Sequence, residues 1–151
     1  MNDLRLRVLL VEDHDAYAQT LATLLDADGR LEVVDRAVDG NAGIDLALRH
    51  VPDAILMDIH MPNLDGIEAT RELGTLLPET PVVILSSSDL PDELRRAREA
   101  GAVACLLKDA AVAEIVAAVE RAAARSTAAD EGASRALQQQ PHARLRLRLC
   151  L

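Results

Sequence analysis

Five short apolar runs recur along the chain: Leu6–Val11, Leu31–Val38, Ala54–Met57, Val82–Leu85 and Val103–Leu107. Their hydrophobicity is largely continuous rather than alternating, although Arg7 breaks the first and the second is interrupted. A strand of that kind has no solvent face, which predicts a parallel sheet covered on both sides. Between the runs the apolar positions change to helical spacing. They are Tyr17, Leu21, Leu24 and Leu25; Ile44, Leu46, Ala47 and Leu48 after Gly40-Asn41; Ile67, Leu73, Leu76 and Leu77 after Asp65; Leu94, Ala97 and Ala100 before Gly101; and Val112, Ile115, Val116 and Val119. Pro91 suits the first turn of the fourth helix and Gly101 its stop, while Gly29 and Gly74 punctuate in the same way, Gly74 inside or near the end of the third helix. Strict alternation of strand and helix predicts right-handed crossovers and an α/β, doubly wound parallel sheet.

The pattern ends near Arg125. Ser126–Leu151 is rich in Ala, Ser, Gly and Asp, passes through Gln138-Gln139-Gln140-Pro141 and closes in Leu-Arg alternation. It reads as a linker-like, disordered tail (126–151) behind one compact domain (1–125).

Composition narrows the function classes. The chain has 151 residues and a net charge of −9, a single-domain size. Tyr17 is its one aromatic residue, so modules that stack bases on aromatic platforms are excluded. The tail sets Asp130 and Glu131 against Arg135, Arg144, Arg146 and Arg148, a net +2, which leaves −11 on residues 1–125. Such a body repels a phosphate backbone, and no direct DNA binding is expected. Cys105 and Cys150 share no motif, the apolar runs are far short of the ~18 residues of a membrane span, and Met1–Arg7 is too charged for a secretion signal. A cytoplasmic protein without membrane contact is expected. Fifteen of the sixteen basic residues are arginine, and the one lysine is Lys108.

In an open parallel sheet, ligands bind beyond the carboxyl ends of the strands. Glu12, Asp13 and Asp15 follow the first run, Asp58 the third, Ser86, Ser87 and Ser88 the fourth, and Lys108 and Asp109 the fifth. With the strand order 2-1-3-4-5, the first and third strands are neighbours and Glu12, Asp13 and Asp58 converge. Three carboxylates at one spot call for a cation, and oxygen ligands suit Mg²⁺ better than a transition metal. Glu12 and Asp13 could instead serve only as helix-start acids; an acid at Asp58, directly after Ala54–Met57, has no such reward for its desolvation. A carboxylate can attack phosphorus, and the transfer then needs charge neutralisation by a metal, an ammonium and a hydroxyl. Lys108 and one of Ser86–Ser88 can supply the last two.

Four segments, Val8-Leu9-Leu10-Val11-Glu12-Asp13-His14-Asp15, Leu56-Met57-Asp58-Ile59-His60-Met61-Pro62-Asn63-Leu64-Asp65-Gly66, Pro81–Ser86 and Gly101-Ala102 with Leu106-Leu107-Lys108-Asp109, together resemble the receiver domain of bacterial two-component response regulators. The resemblance covers roughly residues 5 to 125 and lies nearest the NarL/FixJ-like transcription regulators. It implies a flavodoxin-like (βα)5 fold with Asp58 as phosphoacceptor. Mg²⁺ would be held by Asp13, Asp58 and the main-chain carbonyl of His60, with Glu12 acting mainly through water. Ser86 and Lys108 would contact the phosphoryl group, Ser86 being chosen because it lies five residues after Pro81 and twenty-two before Lys108. Ser87 and Ser88 would border the entrance, and Pro62 and Gly66 would shape the loop after Asp58. His14 and His50 read as a helix-start and a helix-end residue.

The implied partner is a sensor histidine kinase, with a second copy of the chain or a downstream protein as the route of output. The chain would be a self-phosphorylating and self-dephosphorylating phosphoacceptor, not a turnover enzyme. Two departures from the family stand out. The position three before the lysine, usually Tyr or Phe, is Cys105, and Tyr17 in the first helix does not replace it. A helix-turn-helix output domain does not fit in the 26 residues after Arg125, so a truncated transcription regulator is the alternative reading. A haloacid-dehalogenase phosphatase would need a second aspartate where His60 stands. An unphosphorylated pseudo-receiver is disfavoured by the intact acid set.

Overall fold

A computed structural model describes the backbone of residues 5–139 and the side chains through Ser126. Each apolar run forms a strand: β1 (Leu6–Val11), β2 (Leu31–Ala37), β3 (Ala54–Asp58), β4 (Val82–Ser86) and β5 (Ala104–Leu107). The helices between and after them are α1 (Asp15–Asp28), α2 (Gly40–His50), α3 (Gly66–Leu76), α4 (Pro91–Glu99) and α5 (Val112–Gln139). The strands make one parallel sheet in the order β2-β1-β3-β4-β5, the flavodoxin-like arrangement expected.

Strand alternation sorts the buried side chains into two aliphatic cores. Leu9, Val11, Ile55, Met57 and Ile84 face Ile44 and Ala47 of α2, Ile67 and Leu73 of α3, and Ala97 of α4. Val8, Leu10, Leu56, Val83 and Leu85 face Ala18, Leu21 and Leu25 of α1 and Ile115, Val116, Val119 and Ala122 of α5. With no Phe or Trp in the chain, close packing rests on branched aliphatics. Each such side chain fully buried contributes ~1.5–3 kcal/mol.

The punctuation follows the expected chemistry. Pro91 opens α4, Gly29 caps α1 with φ 86°, and Asp39 and Asp65 cap α2 and α3 by accepting from the N–H groups of Ala42 and Glu68. The end of the chain differs from the expected linker at Ser126, because α5 runs on to Gln139. Ala128, Ala129, Glu131, Ala133, Arg135, Ala136 and Leu137 are all good helix formers, with Gly132 the strongest residue against them. The Leu-Arg alternation of residues 145–151 lies outside the described residues. Among the described residues, no helix is long and apolar enough to cross a membrane.

Candidate functional site

The register of the sheet builds the site. β1 and β3 are neighbours with Val11 opposite Met57, so Glu12 and Asp58 leave the sheet side by side. Ser86 stands opposite Leu107, and the Lys108 N–H donates to the Ser86 carbonyl at 2.8 Å. Counting by twos along each strand puts Glu12, Asp58 and Lys108 on the α1/α5 side. There the Lys108 ammonium lies 2.7 Å from Glu12 Oε1 and 3.2 Å from Asp58 Oδ1.

Glu12 and Asp58 are 1% and 3% exposed, so two buried carboxyl groups share one ammonium. Asp58 Oδ2 is buried and has no hydrogen-bond partner. Burial, followed by the negative charge of Glu12, pushes the Asp58 carboxyl well above the usual carboxylate range, and Lys108 opposes both. For Lys108 burial works against the charge, but the Glu12 hydrogen bond and the Asp58 carboxylate hold its pKa above the ordinary lysine value.

Asp13 and His14 border these acids. His14 Nδ1 is 3.3 Å from Glu12 Oε2 and 3.3 Å from Asp13 Oδ1, and the His14 main-chain N–H donates to Glu12 Oε2 at 3.1 Å. Glu12, Asp13, His14 and Asp58 each offer a ligand atom within 4.8 Å of the others. Three carboxylates and an orphaned buried oxygen fit a divalent cation. The turn that presents them is pinned by Arg36 of β2. Its Nε and Nη2 donate to the Glu12 carbonyl at 3.0 and 2.9 Å, and its Nη1 pairs with Asp15 at 2.7 Å.

Tyr17, set aside by the sequence reading, borders the site as well. Its hydroxyl donates to the Lys108 carbonyl at 3.3 Å, and its ring centre is 4.9 Å from the Lys108 ammonium. Burial, with Glu12 and Asp58 nearby, raises the phenol pKa to about 12. Sequence spacing carries no signal for this contact, which depends on how α1 is rotated against β5. The expectation for His14 was incomplete in a similar way. It is the N-cap of α1 but its side chain makes no capping bond, and its ring turns to the acids instead.

The other expected residues surround the mouth. Ser86 is buried, and its Oγ accepts from the Ser88 N–H at 3.0 Å. A cleft of about 360 Å³ beside it is lined by Ser86, Ser87, Asp89, Leu107, Lys108 and Asp109. Gly66 packs so closely behind Asp58 that a Cβ there would stand 1.9 Å from the Asp58 carbonyl oxygen. Pro62 is exposed in the same loop. The exposed ring of His60 reaches Glu93 of α4, with Nε2 at 2.6 Å. His50 ends α2 and pairs with Asp35 at 2.9 Å, which together with the Arg36 N–H holds the Asp35 carboxyl below its usual range. Cys105 lies half-buried against the α2/α3/α4 core, on the face opposite Tyr17, and burial raises its thiol pKa.

Residues 8–120 match the response regulator receiver domain family. The chain belongs to that family. This receiver domain is 40% identical over 117 residues to the transcriptional regulatory protein LiaR of Bacillus subtilis (strain 168), a match covering 78% of this chain and 56% of LiaR. It is 41% identical over 110 residues to a protein-glutamate methylesterase/protein-glutamine glutaminase of Nitrosospira multiformis, covering 71% of this chain but 31% of that protein. Among solved structures it resembles the signal receiver domain of the response regulator NarL from Mycobacterium tuberculosis, with a TM-score of 0.76 at 34% identity over 80% of this chain and 98% of that one. The chain spans a little over half the length of LiaR.

Proposed function

We propose that this receiver domain, residues 1–125, accepts a phosphoryl group on Asp58 from a sensor histidine kinase, with Mg²⁺ as the cofactor, in the cytoplasm. The observation that carries the reading is the Asp58 carboxyl itself. One oxygen is held by Lys108 at 3.2 Å and the other is buried without a partner, inside a cluster of acids.

In the transfer, an Asp58 carboxylate oxygen forms a bond to phosphorus while the bond from phosphorus to the donor's leaving atom breaks. The electron pair of that bond departs with the donor, a histidine nitrogen in the kinase or the carboxylate of acetyl phosphate. The product is an aspartyl phosphate, with Lys108 positioned to pair with its new charge and Ser86 at the rim of the cleft to donate a hydrogen bond. Asp13, Asp58 and the His60 carbonyl, with Glu12 through water, would hold Mg²⁺, which would supply charge neutralisation. Gly66 and Pro62 shape the loop that brings this backbone close.

Output is proposed to pass through protein contacts, with a second copy or a downstream protein, and residues 1–125 are not expected to contact DNA because of their charge. The domain is proposed to be a phosphoacceptor rather than a turnover enzyme. Intact mass after incubation with acetyl phosphate and Mg²⁺ tests the reading. Gain of one phosphoryl group, absent in Asp58→Asn, is expected; an equal gain in the Asn variant would refute it.

A further inference from the structure

The imidazole of His14 changes the chemistry of the acid cluster. Two ligands bound at about 2.1 Å to one ion and at right angles lie about 3 Å apart. His14 Nδ1 stands 3.3 Å from Glu12 Oε2 and 3.3 Å from Asp13 Oδ1, close to that spacing. Lys108 occupies Glu12 Oε1 and Asp58 Oδ1, whereas Asp58 Oδ2 is buried and unpartnered. The α1 N-terminus contributes only about half a positive charge against three carboxylates. A purely oxygen site suits hard Mg²⁺, while an imidazole nitrogen adds affinity for first-row transition dications.

We infer that His14 is a ligand, and that Glu12, Asp13, His14 and Asp58 form a mixed oxygen–nitrogen site for a first-row transition-metal dication. The inference rests on the proposed reading of these acids as a cation site, but it does not require phosphorylation of Asp58. It adds a nitrogen ligand to the oxygen ligands expected for Mg²⁺. Mg²⁺ would use the oxygens alone, so the two classes of metal depend on His14 differently.

The test titrates the metal-free protein with CoCl2, followed by visible absorption, and separately with MgCl2. The parent is compared with His14→Asn and Asp13→Asn. Asparagine is a favoured N-cap residue, and His14 makes no capping bond, so His14→Asn retains the helix start. The ratio of Co²⁺ to Mg²⁺ affinity is expected to fall about tenfold or more in His14→Asn, the scale on which metal-site substitutions act. Paramagnetic broadening by Co²⁺ in the parent should centre on residues 12–14 and 58. An unchanged ratio in His14→Asn, with Asp13→Asn still weakening both metals, would overturn the role of His14 and leave the cation site standing. Broadening centred elsewhere would also overturn that role. If Asp13→Asn alters neither metal, the inference and the underlying cation reading fall together.

Discussion

The Tyr17 hydroxyl donates to the main-chain carbonyl of Lys108 at 3.3 Å, while the ring of Tyr17 lies 4.9 Å from the same residue's ammonium. The chain's one aromatic residue therefore holds its one lysine at both ends. A cation over an aromatic ring is worth ~0.5–2 kcal/mol depending on desolvation, and here the ammonium is also committed to two acids.

Removing the ring should loosen the ammonium more than removing the hydroxyl. Tyr17→Leu is expected to slow Asp58 phosphorylation by acetyl phosphate about three- to tenfold, the kinetic equivalent of ~0.7–1.4 kcal/mol. Tyr17→Phe should lose less. Equal rates in Tyr17→Leu and the parent would show that the contact does not position Lys108. Because no other aromatic is present, tyrosine emission of the parent should also change when beryllofluoride and Mg²⁺ bind.

Lys108 partly neutralises two buried acids, and its loss leaves them uncompensated. Lys108→Ala is expected to lower the unfolding free energy by ~3 kcal/mol in the presence of a chelator, the scale for breaking a buried ion pair from one side. Added Mg²⁺ should restore part of the loss, since a dication can take over the neutralisation. Denaturant melts with and without Mg²⁺ measure both effects.

Asp39 links stability to pH. As N-cap of α2 it accepts from the Ala42 N–H at 2.8 Å and from the Asn63 amide at 3.0 Å, and these bonds hold its carboxyl below the ordinary range. The folded pKa is thus lower than the unfolded one, about 3.9. The stabilisation is complete above the unfolded value and is lost as pH falls through the folded value. Asp39→Ala should cost ~1 kcal/mol at neutral pH, with the difference from the parent closing in acid. Chemical denaturation across that pH range checks the sign.

Cys105 bears on how a phosphoryl group would be felt. A switch needs an element whose two states bind the new charge differently. Cys105 is small, and it sits half-buried on the face opposite Tyr17. Amide shifts on binding beryllofluoride are therefore expected to concentrate at residues 58–66 and 86–93, with little at 103–107, and Cys105→Tyr should enlarge the response. A large rearrangement of the parent at Cys105 and Leu106 would contradict this.

The strands were legible because Val8–Val11, Ala54–Met57 and Val82–Leu85 are unbroken aliphatic runs, and Glu12 and Asp58, like Lys108 after the fifth run, were legible because they follow such runs directly. Once β1 pairs with β3, the meeting of Glu12 and Asp58 is fixed by register. Contacts set by helix rotation were not legible. Tyr17 against Lys108 depends on the packing of α1, and His60 with Glu93 depends on where α4 starts relative to the loop after β3. Arg36 and His14 carry ordinary surface residue types, and only the folded turn aims both at the Glu12 segment. The length of α5 was misread because Gly132, Pro141 and the glutamines outweighed an alanine-rich helical propensity.

Asp58 is the residue expected to become phosphorylated. The most direct measurement treats the protein with acetyl phosphate and Mg²⁺, reduces the acyl phosphate with borohydride and locates the altered residue by peptide mass spectrometry. Homoserine is expected at position 58 and nowhere else, because among the described residues only that carboxyl combines a buried free oxygen with an adjacent ammonium. Homoserine at another acid, or none at position 58 under conditions in which the protein gains a phosphoryl group, would contradict it.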